Sequence, residues 1–516
     1  MANKSLFASV FGMSSPGTDA TNREGAVAYA YGPQHQLAQL AATGTLNDGF
    51  YGSAATQLSD VIAVAQKVDP LFVAKAALYA RKRGAMKDMP ALLTAYLTVA
   101  DPDLAVAVFN RTIDNGRMLR NFVQIMRSGA VGRKSLGSRP KRLVKQWLEN
   151  ATIEQLIRAS TGNDPSLADI VKMVHPKPAS SERQAFYAWL IGRPYDVEAL
   201  PTQLKEFELW KRDIDRQLPD VPFQWLTSFD LTAKRWILLA ERMGWQALRM
   251  NLNTLARNGA FGVKGATDMV AARLEDADAI KRARIMPYQL LMALNAASDA
   301  VPLKVQAALE VALEKSLANV PVIAGNVVVA PDVSWSMQSP VTGHRDGATT
   351  AIKCVDVAAL VGAAVLRRNP SATLMPFEER VVSVDLDPFA RVAVNAKRLS
   401  ELGGGGTNVS APLKLLNRRK ADVDLMIIVS DNESWIDDNR YGATETMRQW
   451  QKLKSRNPKA KLVCIDLQPY GTTQAKERKD ILNVGGFSDA VFDTIARFAS
   501  DVGKRDWVEE IEEQEV

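Results

Sequence analysis

The run Val327-Val328-Val329-Ala330-Pro331-Asp332-Val333-Ser334-Trp335-Ser336 decides the fold. Its first four residues are apolar and uncharged, which reads as a strand buried on both faces. Directly after it, a carboxylate alternates with two hydroxyls. In an open α/β sheet, ligands bind beyond the carboxyl ends of the strands, and this loop sits at that edge. Working outward, Thr373-Leu374-Met375, residues 424–429 and residues 461–465 are three more strand-like runs. Between and after them, residues 356–368, 445–454 and 490–498 have helical spacing. The alternation predicts an α/β domain with parallel central strands over residues 321–505. Residues 506–516, rich in glutamate, read as a frayed acidic tail.

Two other loops at the same expected edge carry related chemistry. One is Gly403-Gly404-Gly405-Gly406-Thr407, and the other is Ser430-Asp431, which closes the third strand. Together the three loops offer Asp332, Ser334, Ser336, Thr407 and Asp431. Hard cations such as Mg²⁺ take about six oxygens in near-octahedral geometry. Two carboxylates with three neutral hydroxyls would leave such an ion electrophilic enough to accept a partner's carboxylate. Alone, Asp-x-Ser-x-Ser often only caps a helix, and the glycine run could be a flexible turn. That run lacks the Gly-Lys-Ser/Thr ending of a nucleotide P-loop. The expected cofactor is a divalent metal, Mg²⁺ first.

Upstream, residues 25–320 have a different texture, dense in Ala and Leu with apolar residues three and four apart. Val305, Leu309, Ala312, Leu313 and Leu317 form one such stripe. Breaks at 129–137, 161–165, 176–181, 201 and 219–222 separate short helices, as in stacked helical hairpins. Residues 1–24 form a separate amino-terminal segment. The formal net charge of +7 is uneven: residues 1–320 carry +9 and the remainder −2. Residues 111–145 alone hold ten basic residues against the single acid Asp114. Clustered cations repel one another unless a polyanion is near, so the run reads as a nucleic-acid footprint or as a solvated helical face.

Hydrophobic residues at 47% and charged residues at 23% over 516 residues exclude a collagen-like, mucin-like or disordered chain and allow about two to four domains. No apolar stretch is long enough for a membrane span, and the start does not read as a secretory signal. Cys354 and Cys464 lie in apolar runs and suit buried thiols in the cytoplasm. The three histidines, His35, His175 and His344, stand in unrelated contexts, so no catalytic set emerges.

Asp332 through Met337, Gly405-Gly406-Thr407 and Ser430-Asp431-Asn432-Glu433 resemble the metal-ion-dependent adhesion site (MIDAS) of von Willebrand factor A domains. With Lys281-Arg282-Ala283-Arg284-Ile285-Met286-Pro287-Tyr288, Asn22-Arg23-Glu24-Gly25, His175-Pro176-Lys177-Pro178 and Gly485-Gly486-Phe487-Ser488-Asp489, the chain is similar to the Ro 60 kDa autoantigen family, and most of all to its bacterial members. That family joins a TROVE module to an A domain. The resemblance implies a ring of HEAT-like helical repeats closed by the A domain, which needs no second copy. It implies a ribonucleoprotein in RNA quality control: Y RNA or a Y-like small RNA on an outer basic face, and single-stranded 3′ ends of misfolded RNA in the ring. It also implies association with an exoribonuclease such as polynucleotide phosphorylase.

Carried over by position, the family's basic outer segment falls on Gly132-Arg133-Lys134 through residues 141–147. Arg133, Lys134, Arg139, Lys141, Arg142 and Lys145 are the leading phosphate contacts. Arg83, Lys87, Arg249 and Asn251 fall in segments resembling the ring-lining helices. His175 stands beside a proline, as a turn residue or an RNA contact. Where vertebrate members have Trp-Ser-His-Lys-Asp, this chain reads Pro165-Ser166-Leu167-Ala168-Asp169, so Leu167 stands in the place of the RNA-contacting histidine. Trp335 reads as a shield for the metal site, a partner contact or local packing. The reading is a non-catalytic RNA-binding scaffold. The rival is a metal-dependent protein-interaction or adhesion adaptor whose basic cluster meets acidic proteins.

Overall fold

The computed structural model describes residues 17–23, 25–43, 54–84, 86–283, 285, 287–320, 322–341, 352–434, 444–468, 471–486, 490–500 and 507–516. His344, Arg284, Met286 and residues 487–489 lie outside them. The chain divides into two compact units that interleave along the sequence.

One unit comprises Met1–Val61, Leu274–Ala296 and Gln306–Glu510. It contains β1 (Ala20–Thr21), β2 (Val27–Ala30), helix α1 (Pro33–Thr43), β3 (Val327–Pro331), β4 (Thr373–Leu374), β5 (Leu425–Ser430), β6 (Lys461–Asp466), β7 (Thr472–Thr473) and β8 (Ile481–Gly485). Five strands form a parallel sheet in the order β4-β3-β5-β6-β8. Every residue of β3 and β5 is buried, as a sheet covered on both faces requires. The helix Cys354–Arg368 buries twelve of its residues, from Cys354 to Leu366, which explains a sequence apolar on all sides rather than along one stripe. Both cysteines are buried free thiols.

A second, antiparallel sheet of order β1-β2-β7 belongs to the same unit, with Tyr29 opposite Thr473. Tyr29 is fully buried, in one core with Phe377, Met426 and Trp450. The amino-terminal hairpin is therefore part of the α/β unit.

The other unit comprises Ile62–Arg273, Ala297–Val305 and Ile511–Val516. It is helical, and its first helices are α2 (Pro70–Lys82), α3 (Asp88–Ala100), α4 (Pro102–Thr112), α5 (Gly116–Ser128), α6 (Ser138–Asn150), α7 (Ile153–Ala159), α8 (Leu167–Val174) and α9 (Ser181–Leu190). Caps set their limits. Asp69 and Asp101 each cap a helix that opens with proline, Asn115 caps α5, and Gly129 ends α5 in the left-handed region at φ 87°. Met118, Leu119, Phe122, Val123 and Met126 of α5 point inward, and Phe122 meets Phe109 of α4 edge-on at 5.2 Å between ring centroids. Arg117 and Arg127 stay on the exposed face.

The acidic segment is not frayed. Trp507–Glu512 is helical and Ile511 is fully buried, because one apolar residue among the glutamates finds a place in the helical unit. Among the described residues, no helix is long and apolar enough to cross a membrane.

Candidate metal centre and basic surface

At the carboxyl edge of the parallel sheet, β3 and β5 lie side by side, and each is followed by a loop. The Asp332 backbone N–H donates to Val429 O at 2.8 Å, which places the first loop against β5. One oxygen of the Asp332 carboxyl accepts from Ser334 N at 2.8 Å and the other from Ser430 Oγ at 2.6 Å. Ser334 Oγ lies 3.4 Å from Ser336 Oγ and accepts from Thr407 Oγ1 at 2.8 Å. Asp431 Oδ1 accepts from Glu433 N at 3.4 Å, which turns the third loop back on itself. Three segments far apart in sequence thus bring Asp332, Ser334, Ser336, Thr407 and Asp431 to one edge, all of them buried.

The glycine run has a steric purpose. At Gly403, with φ 72°, an added Cβ would lie 2.6 Å from Val333 O. Gly405 N donates to Glu378 Oε2 at 2.8 Å and Gly405 O accepts from Trp335 N at 3.0 Å, so the loop is bonded on two sides. Trp335 itself is 66% exposed, between the buried Ser334 and Ser336.

Burial, and then the nearby Asp431 charge, push the Asp332 carboxyl up to about 7. Two buried carboxylates side by side are costly unless a cation sits between them, and the hydroxyl oxygens complete a hard-cation donor set. The five residues fit a divalent metal. Among the described residues, no group of three or more His, Cys, Asp or Glu could hold a metal. A bound ion would act there as a Lewis acid toward a partner's carboxylate.

Two further buried carboxylates stand near this edge and were not among the expected ligands. Asp466 ends β6, and its carboxyl is raised well above the ordinary range by burial, Glu433 and Asp431. Glu433 accepts from Arg23 N at 2.7 Å, and Asn22 Nδ2 donates to Ser434 O at 2.7 Å. Asp466 was signalled by its place: like Asp332 and Asp431, it stands at the carboxyl end of an apolar strand.

The basic run occupies the end of α4, all of α5, the connection 129–137 and α6. Arg133, Lys134, Lys141 and Arg142 are exposed and form no hydrogen bond or ion pair with their side chains among the described residues. Arg139 pairs with Asp103 at 2.9 Å, and Lys145 lies 4.0 Å from Glu149. Helix α6 opens at Gly137 without a side-chain cap, and its first five residues hold Arg139, Lys141 and Arg142 with no acid. The helix dipole disfavours cations there, so an anion would relieve both the dipole and the mutual repulsion. Trp147 donates from Nε1 to Ile113 O at 2.9 Å and fastens α6 to the end of α4.

The other expected RNA contacts lie apart in the sequence and have different settings. Arg83 and Lys87 are exposed at the junction of α2 and α3. Although its surface is largely open, partial desolvation by its neighbours and then the Arg117 charge hold the Lys87 ammonium below its ordinary value. Arg249 donates to Gln246 Oε1 at 3.0 Å and Asn251 Nδ2 to Ala247 O at 2.8 Å, which serves the end of their helix. His175 is exposed and ends α8 in the left-handed region at φ 50°, its N–H bonded to Val171 O. Leu167 is the first residue of α8 and 1% exposed, a core side chain.

Residues 326–499 match the family model of the Ro60 vWA domain, and residues 220–338 match that of the TROVE domain. The chain belongs to the Ro60 family. It is similar to the RNA-binding protein RO60 of Deinococcus radiodurans, 24% identical over 513 residues, covering 93% of this chain and 94% of that protein. The RNA-binding protein RO60 of Caenorhabditis elegans is 22% identical over 59% of this chain and 46% of its own length. The crystal structure of the Deinococcus radiodurans RO (RSR) protein matches in fold with a TM-score of 0.63 and 22% identity, covering 92% of this chain and all of the other. The basic run 111–145 lies outside both Ro60-family model matches, so its reading rests on its own residues.

Proposed function

We propose that this Ro60-family chain is a non-catalytic RNA-binding scaffold of the cytoplasm. In this reading a Y-like structured small RNA lies on the exposed basic face of α6 and the 129–137 connection. Single-stranded 3′ ends of misfolded or damaged RNA meet the helical unit near Arg83 and Lys87, and an exoribonuclease completes decay or maturation. The observation that carries the proposal is the set of exposed cations Arg133, Lys134, Lys141 and Arg142, which form no side-chain ion pair among the described residues, the last two near a helix start whose dipole opposes them. The relatives named as RNA-binding proteins support it. The test is filter binding of a structured small RNA across a salt series. A slope of log K against log salt well below zero supports the reading, and salt-independent or absent binding sinks it.

The α/β unit supports a second, compatible role. A divalent cation held by Asp332, Ser334, Ser336, Thr407 and Asp431, with Trp335 exposed beside it, would make a metal-dependent docking face for a protein partner. If the chain were only such an adaptor, material purified after a moderate-salt wash would contain no nuclease-sensitive nucleic acid.

A further inference from the structure

The last residues of the helical unit are Ile511-Glu512-Glu513-Gln514-Glu515-Val516, three acids with no cation among them. Glu512, Glu513 and Glu515 are exposed, whereas Ile511 is fully buried. The backbone of this stretch is held by two cations. Lys75 of α2 donates from Nζ to Glu512 O, and Arg111 in the last turn of α4 donates from Nη2 to Glu515 O at 2.6 Å. Helices α2 and α4 pack together, so the acidic peptide spans adjoining helices. Arg111 is also the first cation of the basic run 111–145. Peptide oxygens thus take the donors that phosphate oxygens would take, and three carboxylates lower the positive potential around them.

We infer that residues 511–516 are a built-in competitor for RNA on the α2–α4 face of the helical unit. The inference rests on the RNA-binding reading above. In the docked state the segment withholds Lys75 and Arg111. A strand of RNA reaching past α5 toward α4 displaces it and gains both donors. Displacement releases the side chain of Ile511 and the hydrogen bonds from Lys75 and Arg111, while the helices beneath keep their own caps and cores.

The test compares the full chain with its Glu512→Gln, Glu513→Gln, Glu515→Gln variant for binding of a fluorescein-labelled oligouridylate. A control variant, Glu206→Gln, Asp220→Asn, Asp230→Asn, removes three exposed charges elsewhere on the same unit. The segment variant is expected to bind roughly three- to tenfold tighter at low salt, and the control to gain far less. Oligouridylate is also expected to speed cleavage of the wild-type chain after Glu512 and Glu513 by a glutamyl endopeptidase. Equal affinity for the wild-type chain and the segment variant, an equal gain in the control, or a cleavage rate that RNA does not move would overturn the competitor. If no form of the chain binds oligouridylate at any salt, single-strand binding itself fails, and the competitor with it.

Discussion

Thr407 donates a 2.8 Å hydrogen bond to Ser334 Oγ across 73 positions of sequence and so ties the glycine-rich loop to the loop after β3. Both hydroxyls belong to the donor set proposed for the metal. Thr407→Val keeps the shape and removes the oxygen. The wild-type chain should gain about 2.7 kcal/mol of stability at a Mg²⁺ concentration a hundred times its dissociation constant. The variant, and Asp431→Asn with it, should lose most of that gain. Thermal unfolding with and without Mg²⁺ reads the difference directly.

Asp332 gives the site a pH dependence with a definite sign. Its folded value of about 7 stands above the ordinary aspartate value, so the folded metal-free chain holds a proton that the unfolded chain releases. Stability from this group is present at low pH and is lost as pH rises from about 4 to 7, by up to about 4 kcal/mol. Mg²⁺ favours the ionised form and should flatten that fall. Melting curves between these limits, in chelator and in Mg²⁺, should diverge as pH rises, and Asp332→Asn should abolish the divergence.

Lys141 and Arg142 make no side-chain bonds among the described residues. Lys141→Glu with Arg142→Glu should therefore leave far-ultraviolet circular dichroism and melting unchanged. Affinity for a structured small RNA should drop at least tenfold, and the salt slope should become shallower by about two. An unchanged slope would remove α6 from the RNA surface.

Asn22 bonds in both directions, from Nδ2 to Ser434 O and to Oδ1 from Ala26 N at 2.8 Å, and is buried. Asn22→Ala strands both partners and should cost about 2 kcal/mol or more in urea unfolding. It should also speed amide exchange in residues 431–434, because the hairpin then loses its hold on the loop that carries Asp431.

Leu167→Ala should cost about 2–4 kcal/mol, since its side chain is buried in the first turn of α8. RNA affinity should be unchanged in the surviving folded fraction. A specific loss of binding with full stability would contradict a purely structural role.

These residues also mark what was legible beforehand. The strands at 327, 424 and 461 announced themselves because a sheet buried on both faces demands unbroken apolar runs, and Asp332, Thr407 and Asp431 followed from their places at strand or loop ends. The pairing of Tyr29 with Thr473 left no trace. Strands of two to four residues carry no usable period, and nothing local encodes a partner so distant. The glutamate-rich end read as solvated because charge dominates its composition, although Trp507, Val508 and the buried Ile511 stand there at helical spacing. Asp466 joins Asp431 and Glu433 only when the sheet forms. The side chain of Asn251 returns to its own helix, a detail that spacing alone does not reveal.

The antiparallel ribbon that joins β2 to β7 has a bearing on how the molecule is made. On the ribosome the hairpin emerges early, yet the strand that pairs with its outer edge is translated only after some 440 further residues. Until then that edge, with the aromatic ring of Tyr29, waits unmatched, open to nascent-chain chaperones or to another copy. A fragment beginning at residue 321 would inherit the opposite gap and should tend to precipitate unless a peptide covering residues 17–43 is supplied in trans.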